Sequence, residues 1–491
     1  MALKLIYKDI ALGADEDAAT SASAAESYSD ISKLPFGVEA PAVATLELNG
    51  WGLTPEYKVR SNQPFAFWSV ARSGDDCTFP EPPSMSFVFD NQHTSTGITI
   101  RFAPESMDYC SEIDVTWYQD GAVKHTGTYY PDSPDYLVSQ TVQAYDAVSI
   151  TFKKTSLPGK RVKVEKITFG AIRVLDGREL TWANLIQEVS LISDTVPVNV
   201  LDAAFHGESR VDYVFQRKQP VEAYNGETLA GVYYIERGAR SGANDYSISC
   251  SDAVGVLDLD DYEGGIWITD TPLETILAEV FGSAFEFDID PVFSGSTLRG
   301  YIEPGTRREA LQAIAFALGA VVDTAGTEKI KLFPMPSGEG TVIPPTETYT
   351  GGAVDISDTV TEVTVTAYVI FDERPVDKDE YVEFNGVQYR YYTETKHATN
   401  PNTVVTDRPN KIKFDKSYLV NLSNAQMLAD KIMAYYMRRE TYNFMHVVSD
   451  QTTGDRATVD LPWGDTVSGN ITKMTISCTG IVVSDTEMLL D

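Results

Sequence analysis

Positive charge is what this chain has least of. Its 491 residues carry 39 Lys and Arg against 71 Asp and Glu, a formal net charge of -32 at pH 7. Nucleic-acid affinity is built from clustered cations, so this balance excludes a surface that grips phosphates, and it disfavours docking on an anionic membrane. Long apolar runs are lacking as well. A bilayer span needs ~20 mostly apolar residues. The best stretch, residues 310–322, is shorter and reads as a capped helix entering a hairpin. Near the N-terminus, Leu3, Leu5, Ile6 and Tyr7 are broken by Lys4, Lys8 and Asp9, which is not the pattern of a signal peptide.

Cysteine is scarce. Cys77, Cys110, Cys250 and Cys478 lie far apart with no C-x-x-C spacing, so neither a zinc site nor a disulfide framework is expected. Cys77 and Cys110 are the only two within one apparent module, and folding in a reducing cytoplasm is the expectation. The histidines, His93, His125, His206, His397 and His446, have no i,i+4 partner and no H-E-x-x-H run. His206-Gly207-Glu208 begins like a deaminase motif, but no P-C-x-x-C follows. There is no G-x-S-x-G, no P-loop and no G-x-G-x-x-G. The acidic runs Asp258-Leu259-Asp260-Asp261 and Glu286-Phe287-Asp288-Ile289-Asp290 lack EF-hand spacing and read as solvated loops or strand edges. Among 71 acids a chance carboxylate pair says nothing about glycoside hydrolysis, whose geometry belongs to the fold. The sequence therefore assigns no catalytic residue, no metal ligands and no cofactor, and the chain is expected not to be an enzyme.

Aromatic residues are abundant, with 26 Tyr, 21 Phe and 6 Trp, in a background of Val and Thr that suits pleated strands. At ~100–200 residues per domain, the length implies three or four domains. Residues 13–30, rich in Ala, Ser, Asp and Glu, have no apolar period and read as a linker or arm after a first strand. That strand pairs outside its own domain or frays; the residues leave both open. From 43 to 170 strand follows strand: Thr45-Leu46-Glu47-Leu48, Ile98-Thr99-Ile100-Arg101-Phe102 and Ile113-Asp114-Val115-Thr116-Trp117 alternate, which predicts a sandwich or jelly roll. A second β-rich block covers 180–257. Then the period changes to helical. Thr271-Pro272-Leu273-Glu274 has the form of a capping box, with Leu273, Ile276, Leu277, Val280 and Phe281 at helical spacing and Gly282 at the end. Thr306-Arg307-Arg308-Glu309 opens a second helix stopped by Gly319, and Val321-Val322 with Ile330-Lys331-Leu332-Phe333 forms a hairpin. After a Pro- and Gly-rich stretch at 334–350, strands return from 357 with one helix opened by Ser423-Asn424-Ala425-Gln426.

Several stretches carry a family resemblance. Residues Gly226 to Ile235, followed by Tyr246 to Asp258, resemble tail hub proteins of Firmicutes phages and prophages. So do Arg308 to Ala315 running into Gly319 to Asp323 with Lys329 to Leu332, and the end from Gly454-Asp455-Arg456 through Pro462-Trp463-Gly464 to Met474. The likeness covers roughly residue 169 to the C-terminus, and the order of the motifs makes it specific. The 41–170 module is similar to a discoidin-like, galactose-binding jelly roll, on Ala44 to Trp51 and the closing Arg161 to Gly170.

The resemblance implies a mainly β chain with a small α+β domain, an N-terminal jelly-roll sandwich and two tail-tube-like β-barrel domains. The expected division is 1–40 strand and arm, 41–170 jelly roll, 171–260 first barrel, 261–340 α+β domain, and 341–491 second barrel with one inserted helix. It implies a hub at the distal end of a phage tail or tail-like particle, assembled in the host bacterial cytoplasm. A homotrimer would form a ring of six barrels that ends the tail tube, meets a distal tail or tube protein, holds a tip, spike or fibre protein, and gates DNA. No stable nucleic-acid binding and no membrane insertion are expected. The jelly roll implies host glycans as a further partner, with Trp68, Trp117, Tyr118, Tyr129 and Tyr130 as candidate sugar-binding residues. The alternatives are a structural docking role for that module, a tail-associated carbohydrate-binding protein, and a cell-wall hydrolase. The end at Asp491, soon after the closing barrel motif, leads us to expect no attached lytic domain.

Overall fold

The computed structural model describes residues 3–11, 14, 18–24, 52–53, 59–60, 67–102, 109–207, 215, 217–282, 285–376, 380–404, 408–478 and 482–491. The expected opening strand of the jelly roll, 44–51, lies outside them. The protein is mainly β, with helices at Ala253–Leu257, Leu273–Phe281, Arg307–Leu318 and Ala425–Met437. Among the described residues no helix is long and apolar enough to cross a membrane. The four cysteines are free thiols. Two compact units are present: 7–173 with 211–219, and 1–6 with 174–210 and 220–491.

The 7–173 unit holds a seven-stranded sheet in the order Phe67–Arg72, Arg161–Thr168, Ser84–Phe102, Asp135–Thr155, Cys110–Gln119, Ala122–Tyr129. Ala18–Ala22 pairs with the start of the Ser84–Phe102 strand, Ala18 opposite Phe89. This strand sits in the stretch that the sequence reads as a linker. Small residues give no apolar period, and an edge strand can be held by backbone bonds. The alternation in Cys110–Gln119 is that of a half-buried strand: Ile113, Val115 and Trp117 have no exposed surface. Phe169 packs edge-on against Phe87 and Phe89, with ring centroids 5.1 and 4.9 Å away. The register of the two longest strands breaks between Val88 and Gly97. At Gly97 a Cβ would lie 2.2 Å from the Val138 carbonyl oxygen, so only glycine permits this approach.

In the second unit one sheet dominates. The strands Pro220–Asn225, Thr228–Arg240, Asp245–Ser251, Val200–His206 and Leu180–Glu188 lie side by side, and Thr466–Cys478, Val482–Leu490, Glu440–Val447 and Ala353–Ile356 continue the order. The junction is antiparallel, from Ala183 opposite Cys478 to Glu188 opposite Lys473. Two β-rich blocks far apart in sequence therefore share one hydrogen-bonded sheet. Leu3–Ile10 belongs to the same sheet, beside Pro220–Asn225, so the first strand is paired.

The helical segment between the blocks packs as one core. Leu273, Ile276, Leu277 and Phe281 meet Leu311, Ile314 and Ala315 of the 307–318 helix. The same core takes in Val363 and Val365 from the four-stranded sheet built on Glu362–Ile370, and Leu428 and Ile432 from the 425–437 helix. The Thr306 capping box is complete: Thr306 Oγ1 accepts from the Glu309 N–H at 3.2 Å, and Glu309 Oε2 accepts from the Thr306 N–H at 2.8 Å. Gly319, at φ 64°, closes that helix in the left-handed conformation. The Thr271 box does not form. Thr271 is still in the strand Gly265–Pro272, opposite Leu298, and its hydroxyl donates to the Thr269 carbonyl, so Pro272 takes the cap position without a side-chain bond.

Candidate functional site

The two faces of the large sheet differ in chemistry. Antiparallel partners point to the same side, so the registers show what each face presents. One face is buried and carries Ala183, Leu185, Leu201, Ala203, Phe205, Ile248, Met474, Ile476 and Met488. The other face is open. Across it run Ser249, Asp202, Asn184 and Ser477, each opposite the next, and beside them Val200, Ile186, Thr475 and Asp485. Ser477 Oγ donates to Asn184 Oδ1 at 3.2 Å across the junction of the two blocks. Charge on this face is mostly negative: Glu188, Asp202, Asp485 and Glu487, with Asp245 beside His206, against Lys473 and Arg237. Lys473 Nζ is itself 3.5 Å from Glu188 Oε2. At one end, Asn443, Met445, Thr475, Asp485 and Glu487 line a trough of about 490 Å³ closed by Tyr349 and Gly352. Carboxylates outnumber cations on this face, among Ser, Thr and Asn and the apolar Val200, Ile186, Met445 and exposed Trp182, so it is acidic overall and poor in anchors for an anion.

Two buried carboxylates outside the strands of this sheet are structural. Asp252 Oδ1 accepts from the Gly255 N–H at 3.0 Å and caps the 253–257 helix, while its Oδ2 accepts from Thr324 Oγ1 at 2.6 Å. Thr324 in turn accepts from Asn199 Nδ2 at 2.9 Å. Burial pushes the Asp252 carboxyl up to about 6, against the pull of the Thr324 and Gly255 bonds. Asp323 Oδ1 accepts from the N–H groups of Thr324 and Ala325 at 2.8 and 3.0 Å, and Thr453 Oγ1 reaches both its oxygens at 3.2 Å. Burial raises Asp323 too, opposed first by the nearby Lys331 ammonium. This joint ties the hairpin of the α+β region to both β blocks. It was not legible in the sequence, because burial of a lone Asp is decided by tertiary packing.

The five aromatic residues singled out for sugar binding are placed as follows. Trp68 lies on the Phe67–Arg72 strand, wholly buried, with the Lys163 ammonium 5.3 Å from its ring centroid. Trp117 is also wholly buried, its ring 5.6 Å from His125 and 6.4 Å from Tyr129. Trp117 and Tyr129 are brought together; Trp68 is not with them, since the Arg161–Thr168, Ser84–Phe102 and Asp135–Thr155 strands intervene. Tyr118 and Tyr129 are half-buried, and burial followed by Tyr136 raises the Tyr129 hydroxyl. Tyr130 is 66% exposed. Among the described residues no group of His, Cys, Asp and Glu is arranged to hold a metal ion. In the two acidic runs, Asp258 meets Arg308 at 3.4 Å, Glu286 meets Lys329 at 2.7 Å, and Asp290 caps a short 3-10 turn.

No protein-family model matches the chain, and no curated protein matches it. Several solved structures are similar in fold. A tail protein from Neisseria meningitidis superposes with a TM-score of 0.46 at 13% identity, covering 64% of this chain and 93% of its own. A 43 kDa tail protein of a Shewanella oneidensis prophage gives 0.43 at 10% identity, covering 64% and 95%. A prophage tail protein of Listeria monocytogenes gives 0.42 at 9% identity, covering 64% and 91%.

Proposed function

We propose that the protein is a structural component of the distal end of a phage tail or tail-like particle, with the open face of its large sheet turned to the channel. The observation that carries this reading is the joining of the two β blocks into one sheet whose open face carries more carboxylates than cations. The sequence motifs of tail hubs and the order β block, helix–helix–hairpin, β block support it. In this reading three copies close a ring that ends the tail tube, with the 171–260 and 341–491 segments as the barrel-forming parts and 261–340 between them. The ring meets a tube or distal tail protein on one side and a tip, spike or fibre protein on the other, and it lets DNA pass. Carboxylates along the channel repel the phosphate backbone, so DNA slides instead of adhering. The role is non-enzymatic: a turbidity assay on cell walls with the purified protein gives no lysis, and clearing of the suspension contradicts this. Antibody labelling of negatively stained particles tests the position. Gold at the tail tip is expected; gold along the tube or at the head end overturns the reading.

A second reading concerns the N-terminal module. Tyr130, exposed beside the half-buried Tyr129, supports a contact surface there, either for host glycans or for a docking protein. Screening the full chain and its Tyr130→Ala variant on a glycan array separates the two, because only sugar binding gives a signal that the variant loses.

A further inference from the structure

A cleft outside the large sheet carries a site of a different kind. It has a volume of about 540 Å³ and is lined by Tyr301, Glu303, Glu309, Gln312, Lys416 and Tyr418, among others. Tyr418 is the centre of a tyrosine cluster. Its ring lies 4.3 Å from Tyr368, 5.7 Å from Tyr391 and 5.8 Å from Tyr301, centroid to centroid. Tyr368 donates to Asp415, and Tyr301 donates to the Glu383 carbonyl at 3.1 Å, so two of the surrounding rings are themselves held.

The backbone that presents Tyr418 is equally fixed. A Cβ on Gly300, at φ 142°, would fall 2.2 Å from the Tyr418 carbonyl oxygen, so the 417–419 segment sits directly against the Thr297–Ile302 strand. Ser417 Oγ donates to the Ala313 carbonyl at 2.9 Å and accepts from the Leu419 N–H at 3.1 Å, which pins the segment to the 307–318 helix as well. Tyr418 remains half-buried and lines the cleft. It is a rigid aromatic platform that needs no ordering when a ligand arrives.

The polar groups around this platform decide the ligand class. Glu303 and Glu309 are exposed carboxylates, which disfavour an anion. Lys416 is an exposed ammonium in the same cleft, which disfavours a simple cation. Burial, then Glu303, pushes the Tyr418 hydroxyl up to about 12, and it is hydrogen-bonded to Tyr391, so the donors left for a ligand are Lys416 and Gln312. Acceptors, donors and one aromatic face in a concave site match a neutral polyhydroxylated molecule, whose hydroxyls both give and take hydrogen bonds and whose C–H face stacks on a ring. We propose that this cleft binds a neutral saccharide, with Tyr418 as the stacking platform and Glu303 and Lys416 as the hydrogen-bonding rim.

The site is independent of the tail reading and of the N-terminal tyrosines, and the full-length isolated chain tests it. Saturation-transfer NMR is recorded with triacetylchitotriose, cellotriose, maltotriose and galactobiose as probes. Transfer to at least one of them is expected, strongest on one C–H face of a ring. Glu303→Gln and Lys416→Gln change exposed side chains and leave the fold intact; each is expected to weaken binding about tenfold, the value of one hydrogen bond to a charged group. Tyr418→Phe retains stacking, Tyr418→Ala abolishes the signal, and Tyr130→Ala leaves it unchanged. The same experiment with intact cell-wall fragments shows whether the ligand is a surface polymer or a free sugar. Silence from the whole panel overturns the site, and so does binding that Glu303→Gln, Lys416→Gln and Tyr418→Ala all leave untouched.

Discussion

The buried joint around Asp252 and Asp323 and the open face of the large sheet use the same residue type for opposite ends. In the joint both carboxylates are enclosed, and the hydroxyls and N–H groups around them are directed at them. On the open face Asp202, Asp485 and Glu487 stand in a field of Ser, Thr and Asn and hold nothing together. A carboxylate's environment sets its role, because desolvation makes the enclosed one expensive and hence architectural, while the solvated one acts only through its field. The excess of acids in the composition therefore divides into two populations with different sensitivities to change.

Substitution should expose that division, and the largest effect falls on the buried side. Asp323→Ala leaves the N–H groups of Thr324 and Ala325 and the Thr453 hydroxyl without their acceptor and removes the charge facing Lys331, which keeps its bond to the Ala325 carbonyl. A loss of about 3 kcal/mol is expected, read as an earlier denaturant transition of the 174–491 unit. Asp323→Asn, which keeps an acceptor, should lose much less.

The next effect is a pH dependence carried by Asp252. Its folded-state carboxyl titrates at about 6 against an ordinary 3.8, so the folded protein holds this proton more tightly than the unfolded chain does. The stability it contributes is complete below pH 4 and is lost as pH rises through 6, on the order of 3 kcal/mol by pH 7. Asp252→Asn should flatten the stability profile between pH 4 and 6, measured by denaturation at a series of pH values. An unchanged slope would mean that other groups carry it.

The smallest effect on folding belongs to the open face. Asp202→Lys with Asp485→Lys should shift stability by no more than about 0.5 kcal/mol, within the range of ordinary surface changes. In assembled particles the same pair should slow DNA release, measured as delayed ejection, since it places cations along the path of the phosphates.

Local signals in the sequence were enough for much of this fold. Ile113, Val115 and Trp117 announce a half-buried strand, and Thr306 with Glu309 announces a helix start, because both patterns act through near neighbours. Thr271 shows where such reasoning stops: the same spacing was present, but pairing with Leu298 kept it in a strand. Ala18–Ala22 carries no apolar period in the sequence; it is held by pairing with Ser84–Phe102 and by the packing of Ala18 and Ala22 against the core. The open face with Asp202 and Asp485 was not picked out from the sequence. Their placement on one surface depends on the pairing of Leu180–Glu188 with Thr466–Cys478, and nothing local specifies that pairing. The tyrosine cleft was not legible at all. Tyr301, Tyr368, Tyr391 and Tyr418 share no motif and meet only after the strands and helices have packed.

The acidic face of the joined sheet is proposed to line a channel. Cryo-electron microscopy of the tail end of particles containing this chain should show a three-fold ring continuous with the tube, with Asp202, Asp485 and Glu487 facing the lumen. A map in which that face is covered by another protein, or points to the outside of the particle, would contradict it.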